Sequence, residues 1–507
     1  MNIKRAKNEI KNALKAYLTT DEFGAYRIPP IRQRPILLMG PPGIGKTQIM
    51  QQIAEETGVG LVSYTLTHHT RQSALGLPFI DKVMLGGEER TVTAYTMSEI
   101  IASVYREMER TGVKEGILFL DEINCISETL TPMMLQFLQC KTFGNQQLPA
   151  GWVVVAAGNP PEYNKSVREF DVVTLDRVKK IDIEEDFGVW KEYARRKNLH
   201  GAILSYLDIK KDNFYRIENT ADGLQFATAR GWEDLSELLY AYETLGIRAD
   251  REVVGQYIQM PRIAKDFANY LEMFYKYQKT YHVEGILSGT WENITVLELR
   301  EAPFDEKLSV MGLVLSRLSE EARNTRRQDA LTDALHTSLT EFREKIADAP
   351  PLTVLDQLLW KRRTAMKQAK EAGQLDKESR DLKQREINVL EDYRQRLDRE
   401  AVAPEGAMDA VRGWFGEEVE RRKAMAMETK DMFDNAFRFL ETTFGDSQEL
   451  VIFVTEITAG YDTSWFVEQF GCDAYFRHNR ELLFDSTRHR IREEIAAAKA
   501  AEQEENT

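Results

Sequence analysis

Three short stretches of this chain are apolar at every position, and most of what surrounds them is apolar at helical spacing. Ile36, Leu37, Leu38 and Met39 follow Pro35; Ile117, Leu118, Phe119 and Leu120 follow Gly116; Val153, Val154, Val155, Ala156 and Ala157 follow Trp152. A strand covered by helices on both sides reads this way, so the runs predict buried parallel strands. A further apolar and charged alternation continues from Val178 through Ile183. Helical spacing places Ile3, Ile10, Leu14 and Leu18 on one face of an N-terminal helix over Met1 to Leu18, and predicts helices over Gln48 to Thr57 and Trp232 to Thr244. Leu77 to Leu85 and Glu88 to Tyr95 flank Gly86 and Gly87 and read as a β-hairpin.

The second half is charged and helical. Lys307 to Ile346, Leu355 to Ala372 and Lys377 to Arg399 carry apolar residues three and four apart, and the first and third are expected to pair as a long hairpin. Pro350 and Pro351 break the first, Ala401 to Gly406 reads as a linker, and from Ala407 a new helical region draws its core from Trp414, Phe415, Met432, Phe433, Phe437 and Phe439. Leu450 to Thr458 fits a helix or a strand. Trp465 to Phe470 and Tyr475 to Leu483 read as helices around a turn at Gly471 and Cys472, with Cys472 a small buried residue, and Ile491 to Thr507 reads as a solvated tail.

A chain of 507 residues needs more than one core. The expected division is 1–24 for the amphipathic helix, 25–186 for an α/β domain with the hairpin near 77–95 inserted in it, 187–280 for a helical lid and 281–507 for a helical extension. No apolar stretch is long enough to span a membrane, and Met1 to Leu18 lacks the apolar centre of a signal peptide. Cys125, Cys140 and Cys472 are three scattered thiols without pairing motifs, which points to a reducing, cytoplasmic setting. The net charge of -14 favours protein partners over nucleic acid. His68 and His69 are adjacent and read as polar loop residues rather than a metal pair.

Chemistry gathers where the apolar runs end. Gly40, Pro41, Pro42, Gly43, Ile44, Gly45, Lys46 and Thr47 form GxxxxGK[ST] between a strand and a helix that opens at Gln48, an arrangement that turns backbone N–H groups and a helix dipole toward phosphate. Lys46 would neutralise the β and γ phosphates, and Thr47 would hold Mg2+. The second run ends in Asp121, suited to the Mg2+ shell, and Glu122, suited to deprotonate an attacking water. The third ends at Gly158 and Asn159, whose amide could position that water or merely cap a turn before Pro160 and Pro161. Arg230 opens the helix over Trp232 to Thr244, where a cation meets the dipole unfavourably and so suggests a task.

Read in chain order, GPPGIGKT, ILFLDEIN, VVVAAGNPPEY, TLDRV and ATARGWEDL resemble the AAA+ ATPases over about Arg34 to Thr280, and DEIN, MMLQFLQ and AAGNP resemble the MoxR-like branch related to the dynein-type group. The resemblance implies a P-loop α/β fold, a parallel sheet with flanking helices, plus a helical lid, with the mainly helical C-terminal region beyond it. It makes Lys46 and Thr47 Walker A, Asp121 and Glu122 Walker B, Asn159 sensor 1 and Arg230 sensor 2. Arg177 becomes an arginine finger reaching a neighbouring subunit, with Arg168 the second candidate and an ion pair to Asp176 or Asp182 the structural alternative. It further implies ATP and Mg2+, a ring of copies, most simply a hexamer, a protein client, and a partner with a von Willebrand A domain. A nucleic-acid motor or nuclease-system NTPase is the alternative, opposed by the acidic balance. A nucleotide-gated scaffold is another, opposed by Glu122.

Overall fold

The computed structural model describes residues 1–66, 76–86, 88–143, 146–163, 167, 170–220, 223–371 and 377–480. His68, His69, Gly87, Arg168 and the tail from Ile491 lie outside them. The chain divides into two compact units, one made of residues 1–190 and 214–232 and the other of 191–213 and 233–507.

The first unit is built on α1 (Ile3–Leu18), β1 (Ile36–Met39), α2 (Lys46–Thr57), β2 (Gly60–Thr65), the hairpin β3 (Pro78–Leu85) and β4 (Glu88–Tyr95), α3 (Glu99–Thr111) and β5 (Gly116–Asp121). It continues through α4 (Thr131–Cys140), the short pair β6 (Thr142–Phe143) and β7 (Gln146–Gln147), β8 (Trp152–Gly158), α5 (Val172–Leu175) and β9 (Lys179–Asp182). Strands β2, β5, β8, β1 and β9 form one parallel sheet in that order. The apolar runs are continuous because each strand is covered twice. Ile36, Leu38, Ile117, Phe119, Val153 and Val155 pack with α1 and α2 on one face. Leu37, Leu118, Leu120, Val154 and Ala156 pack with α3 and α4 on the other. The register sets Met39 beside Gly158 and Leu120 beside Ala156, so the ends of β1, β5 and β8 share one carboxyl edge.

The chain then runs through α6 (Phe187–Arg196), α7 (Gly201–Ile209), the pair β10 (Arg216–Thr220) and β11 (Gly223–Ala227), and α8 (Ala229–Leu245). Residues 214–232 return to the first unit, carrying Arg230 in the opening turn of α8.

The second unit is helical: α9 (Arg251–Tyr257), α10 (Pro261–Thr280), α11 (Val283–Ser288), α12 (Asn293–Glu301), α13 (Phe304–Lys345), α14 (Pro351–Glu371), α15 (Lys377–Arg399), α16 (Ala407–Phe444), α17 (Gln448–Ala459) and α18 (Tyr461–Phe470). The segment over Leu450 to Thr458 is a helix, with Leu450, Phe453, Val454 and Ile457 buried on one face. Helix α13 ends at Lys345, before the proline pair, and Pro351 opens α14, as its fixed φ allows at a first turn. Helix α15 packs against both α13 and α14, so the expected pair is a three-way contact: Leu335, Leu339 and Phe342 meet Leu355, Leu358, Ile387 and Leu390 in one core, and Glu386 joins Ser338 to Arg362. Segments from 187–280 and 281–507 share this unit. Helix α7 lies so close to α13 that a Cβ at Gly312 would fall 2.1 Å from the Ser205 hydroxyl oxygen. Lys191 donates to Asp208 at 2.6 Å and to Glu456 at 2.8 Å, and Arg195 also reaches Glu456. Burial pushes the Asp208 carboxyl up even beside Lys191. Among the described residues no helix is long and apolar enough to cross a membrane.

One cation in the first unit is a burden on the fold. Lys141 closes α4 with a left-handed backbone, is buried, and reaches a single acceptor among the described residues, Gln33 Oε1 at 3.4 Å. Burial lowers its amine to about 8 from an ordinary 10.5. The unfolded chain therefore binds more protons between those values, and wild-type stability rises with pH across that window. Replacing Lys141 with Met is expected to stabilise the protein by about 2 kcal/mol at neutral pH. In thermal melts across a pH series, the advantage should be full below pH 8 and vanish above the unfolded value.

Candidate active site

Helix α2 begins at Lys46, two residues earlier than its spacing suggests, so Lys46 and Thr47 stand in its first turn. The N-cap is Gly45, left-handed at φ 94°, which supplies no side chain to the free N–H groups of that turn. Those donors are open to an anion, and the dipole adds positive potential at the same place. Gly40 is needed for a different reason: a Cβ there would lie 2.8 Å from the carbonyl oxygen of Ile183, so the loop can leave β1 only as glycine.

Lys46 is nearly buried, and its ammonium donates to the carbonyls of Gly40 and Pro41 and to Asn159 Oδ1, each at 2.8 Å. Burial lowers the amine to about 8; Asp121 and Glu122 oppose that shift and Arg230 adds to it. Thr47 Oγ1 donates to Asp121 Oδ2 at 2.8 Å, and Asp121 Oδ1 accepts from the Glu122 amide at 3.0 Å. Glu122 itself is left-handed at φ 57°, an unfavourable state for a residue with a Cβ that the surrounding turn enforces.

The segment returning from the second unit supplies further contacts. The Tyr215 hydroxyl, its pKa raised by burial, donates to the Pro42 carbonyl at 2.8 Å, and Thr228 and Arg230 lie against Gly43. Tyr215 carried no sequence signal, being 173 positions from its partner. Asn124 was visible only as the last letter of DEIN; it is buried and donates to the Asn159 carbonyl at 2.8 Å.

Arg177 takes no part in these contacts. It is exposed in the turn after α5 and forms no ion pair among the described residues; Asp182 pairs instead with Lys180 at 2.9 Å. The nearby Asp171 carboxyl is held down first by hydrogen bonds from Thr174 and less by the Arg177 charge. Two exposed valines, Val172 and Val173, stand on α5 just before that turn.

A parallel sheet with a glycine loop at the carboxyl end of one strand, an Asp-Glu pair at the next but one and an Asn at the strand between them defines a P-loop nucleotide-binding domain. Residues 36–174 match the family described as ATPase family associated with various cellular activities (AAA), so this stretch is an AAA ATPase domain, which implies nucleotide binding and an ATP-driven activity. No curated protein matches the chain. Among solved structures, a candidate ATPase from Cytophaga hutchinsonii is 18% identical with a TM-score of 0.23, the match covering 38% of this chain and 56% of the other.

The depressed amine of Lys46 has a consequence for binding. Phosphate favours the protonated ammonium, so nucleotide affinity should fall as pH rises through about 8. Titration with a fluorescent ATP analogue from pH 7 to 9.5 reads this directly. Lys46→Met should weaken binding about tenfold to a hundredfold and remove that pH dependence.

Proposed function

We propose that this chain is a MoxR-like ATPase that hydrolyses ATP at the seams of a ring of its own copies, most simply a hexamer. It uses the cycle to remodel, assemble or activate a protein client in the cytoplasm, with a von Willebrand A domain protein as partner. The observation that carries the reading is a division of labour. Hydrogen bonds join Lys46 to Asn159 and Thr47 to Asp121 at one edge of the sheet, with Glu122 next to Asp121 and Arg230 against Gly43, while Arg177 is exposed and forms no ion pair among the described residues.

The loop from Gly40 to Gln48 cradles the phosphates, and Lys46 shifts from the loop carbonyls to phosphate oxygen. Thr47 Oγ1 and the Asp121 carboxylate are hard oxygen donors already paired with one another, a set that suits Mg2+, which when bound neutralises charge on the β and γ phosphates. Asn159 orients the water and Glu122 accepts its proton as the new P–O bond forms and the bond to the β–γ bridging oxygen breaks, leaving ADP and phosphate. Arg230 faces the same charge from the lid side. Arg177 of an adjacent copy meets the charge that grows in the transition state, which gives an exposed guanidinium with no ion pair among the described residues its purpose.

Arg177→Ala and Glu122→Gln should each lower kcat by about a thousandfold while nucleotide binding survives. Mixing the two inactive proteins should restore activity, because some seams then join an intact Glu122 to an intact Arg177. Wild-type ATPase rate per chain should also climb with protein concentration. A mixture as inactive as its components, together with a rate independent of concentration, would rule out the shared seam.

A further inference from the structure

Asn124 sits three residues beyond Asp121 and is 3% exposed. Its Nδ2 donates to the Asn159 carbonyl at 2.8 Å, and its Oδ1 is buried without a hydrogen-bond partner among the described residues. A buried carbonyl left unpaired is a cost the fold carries. The carboxamide also packs against Gly158, where a Cβ would fall 2.6 Å from Oδ1 and 2.8 Å from Cγ, so any larger residue before Asn159 must push it aside. On the near side of that glycine the Ile123 amide donates to the Ala157 carbonyl at 2.9 Å. The turn bearing Glu122 is therefore bonded to the end of β8 on both sides of Gly158.

These contacts couple two groups that must agree in position. Glu122 is held in a left-handed turn one residue from the first bond, and the Asn159 side chain meets Lys46 at 2.8 Å from the residue that accepts the second. We infer that Asn124 is a positioning residue for hydrolysis: by tying the Asn159 backbone to the turn that carries Glu122, it fixes the separation between the base and the water-orienting amide. The inference rests on the roles given to Glu122 and Asn159 above. Asn124 touches no reacting atom, so its loss leaves nucleotide binding intact and slows the chemical step.

Steady-state ATPase kinetics on the full chain test this. Asn124→Ala should lower kcat about tenfold to a hundredfold, the usual effect of a small misplacement, with KM changed less than about threefold. Gly158→Ala should do the same by displacing the carboxamide. The double variant Asn124→Ala/Gly158→Ala relieves the crowding without restoring the tether, and it should stay slow. A double variant with wild-type kcat would show that Asn124 only fills space and would overturn the inference, as would an unimpaired Asn124→Ala. Asn124→Asp keeps the volume and removes the donor, so it carries the same expectation should Asn124→Ala not fold; wild-type kcat in a folded Asn124→Asp also overturns it. Glu122→Gln measured alongside separates the two levels. Normal hydrolysis in that variant defeats the base assignment, whereas an inactive Glu122→Gln beside a normal Asn124→Ala defeats this inference alone.

Discussion

The site depends on a constraint of the sheet rather than on any one side chain. Parallel strands in register end on the same edge, so residues at positions 40–47, 121–124 and 158–159 are delivered to one place by backbone pairing alone. Lys46 then finds three oxygen acceptors there, two from its own loop and one from the end of β8. Its ammonium is desolvated yet satisfied by groups that phosphate can replace. A lysine on a solvated loop would have neither the lowered pKa nor the readiness to exchange partners.

Two of these contacts use the backbone of one residue to fix the side chain of another. Asp121 accepts from Thr47 with one oxygen and from the Glu122 amide with the other, leaving the Glu122 carboxylate outside that pairing. Asn124 does the same for Asn159, bonding its carbonyl and leaving its amide to face Lys46. Rigid backbone and available side chain are what a preorganised site requires, since reorganisation at the moment of reaction is avoided.

The strand ends and the phosphate loop were legible in the sequence because their signals are local: a continuous apolar run means burial on both faces, and the spacing of glycines means a loop that closes on an anion. Leu450 to Thr458 was not readable in the same way, since a short apolar, β-branched run fits either element; the structure makes it a helix that buries Leu450, Phe453, Val454 and Ile457 on one face. What could not be read were contacts between distant segments. Tyr215 meets Pro42 only because the chain re-enters the first unit after visiting the second, and Lys141 is buried under residues that nothing in its own neighbourhood announces. Likewise, helical spacing marked α13, α14 and α15 as amphipathic, yet partner choice came from shape, as where the absent side chain of Gly312 admits Ser205.

That last fit bears on how the molecule can be dissected. A cut near Thr280 looks natural from the motifs, since every residue assigned to the nucleotide machinery precedes it. Yet α7 and α13 interlock at Gly312, and Glu456 neutralises Lys191 and Arg195 from the far half of the chain. A fragment ending there would bare the apolar flank of α7, strip Arg195 of Glu456 and leave Lys191 with Asp208 alone, so its misbehaviour would report a torn seam and not the independence of the parts.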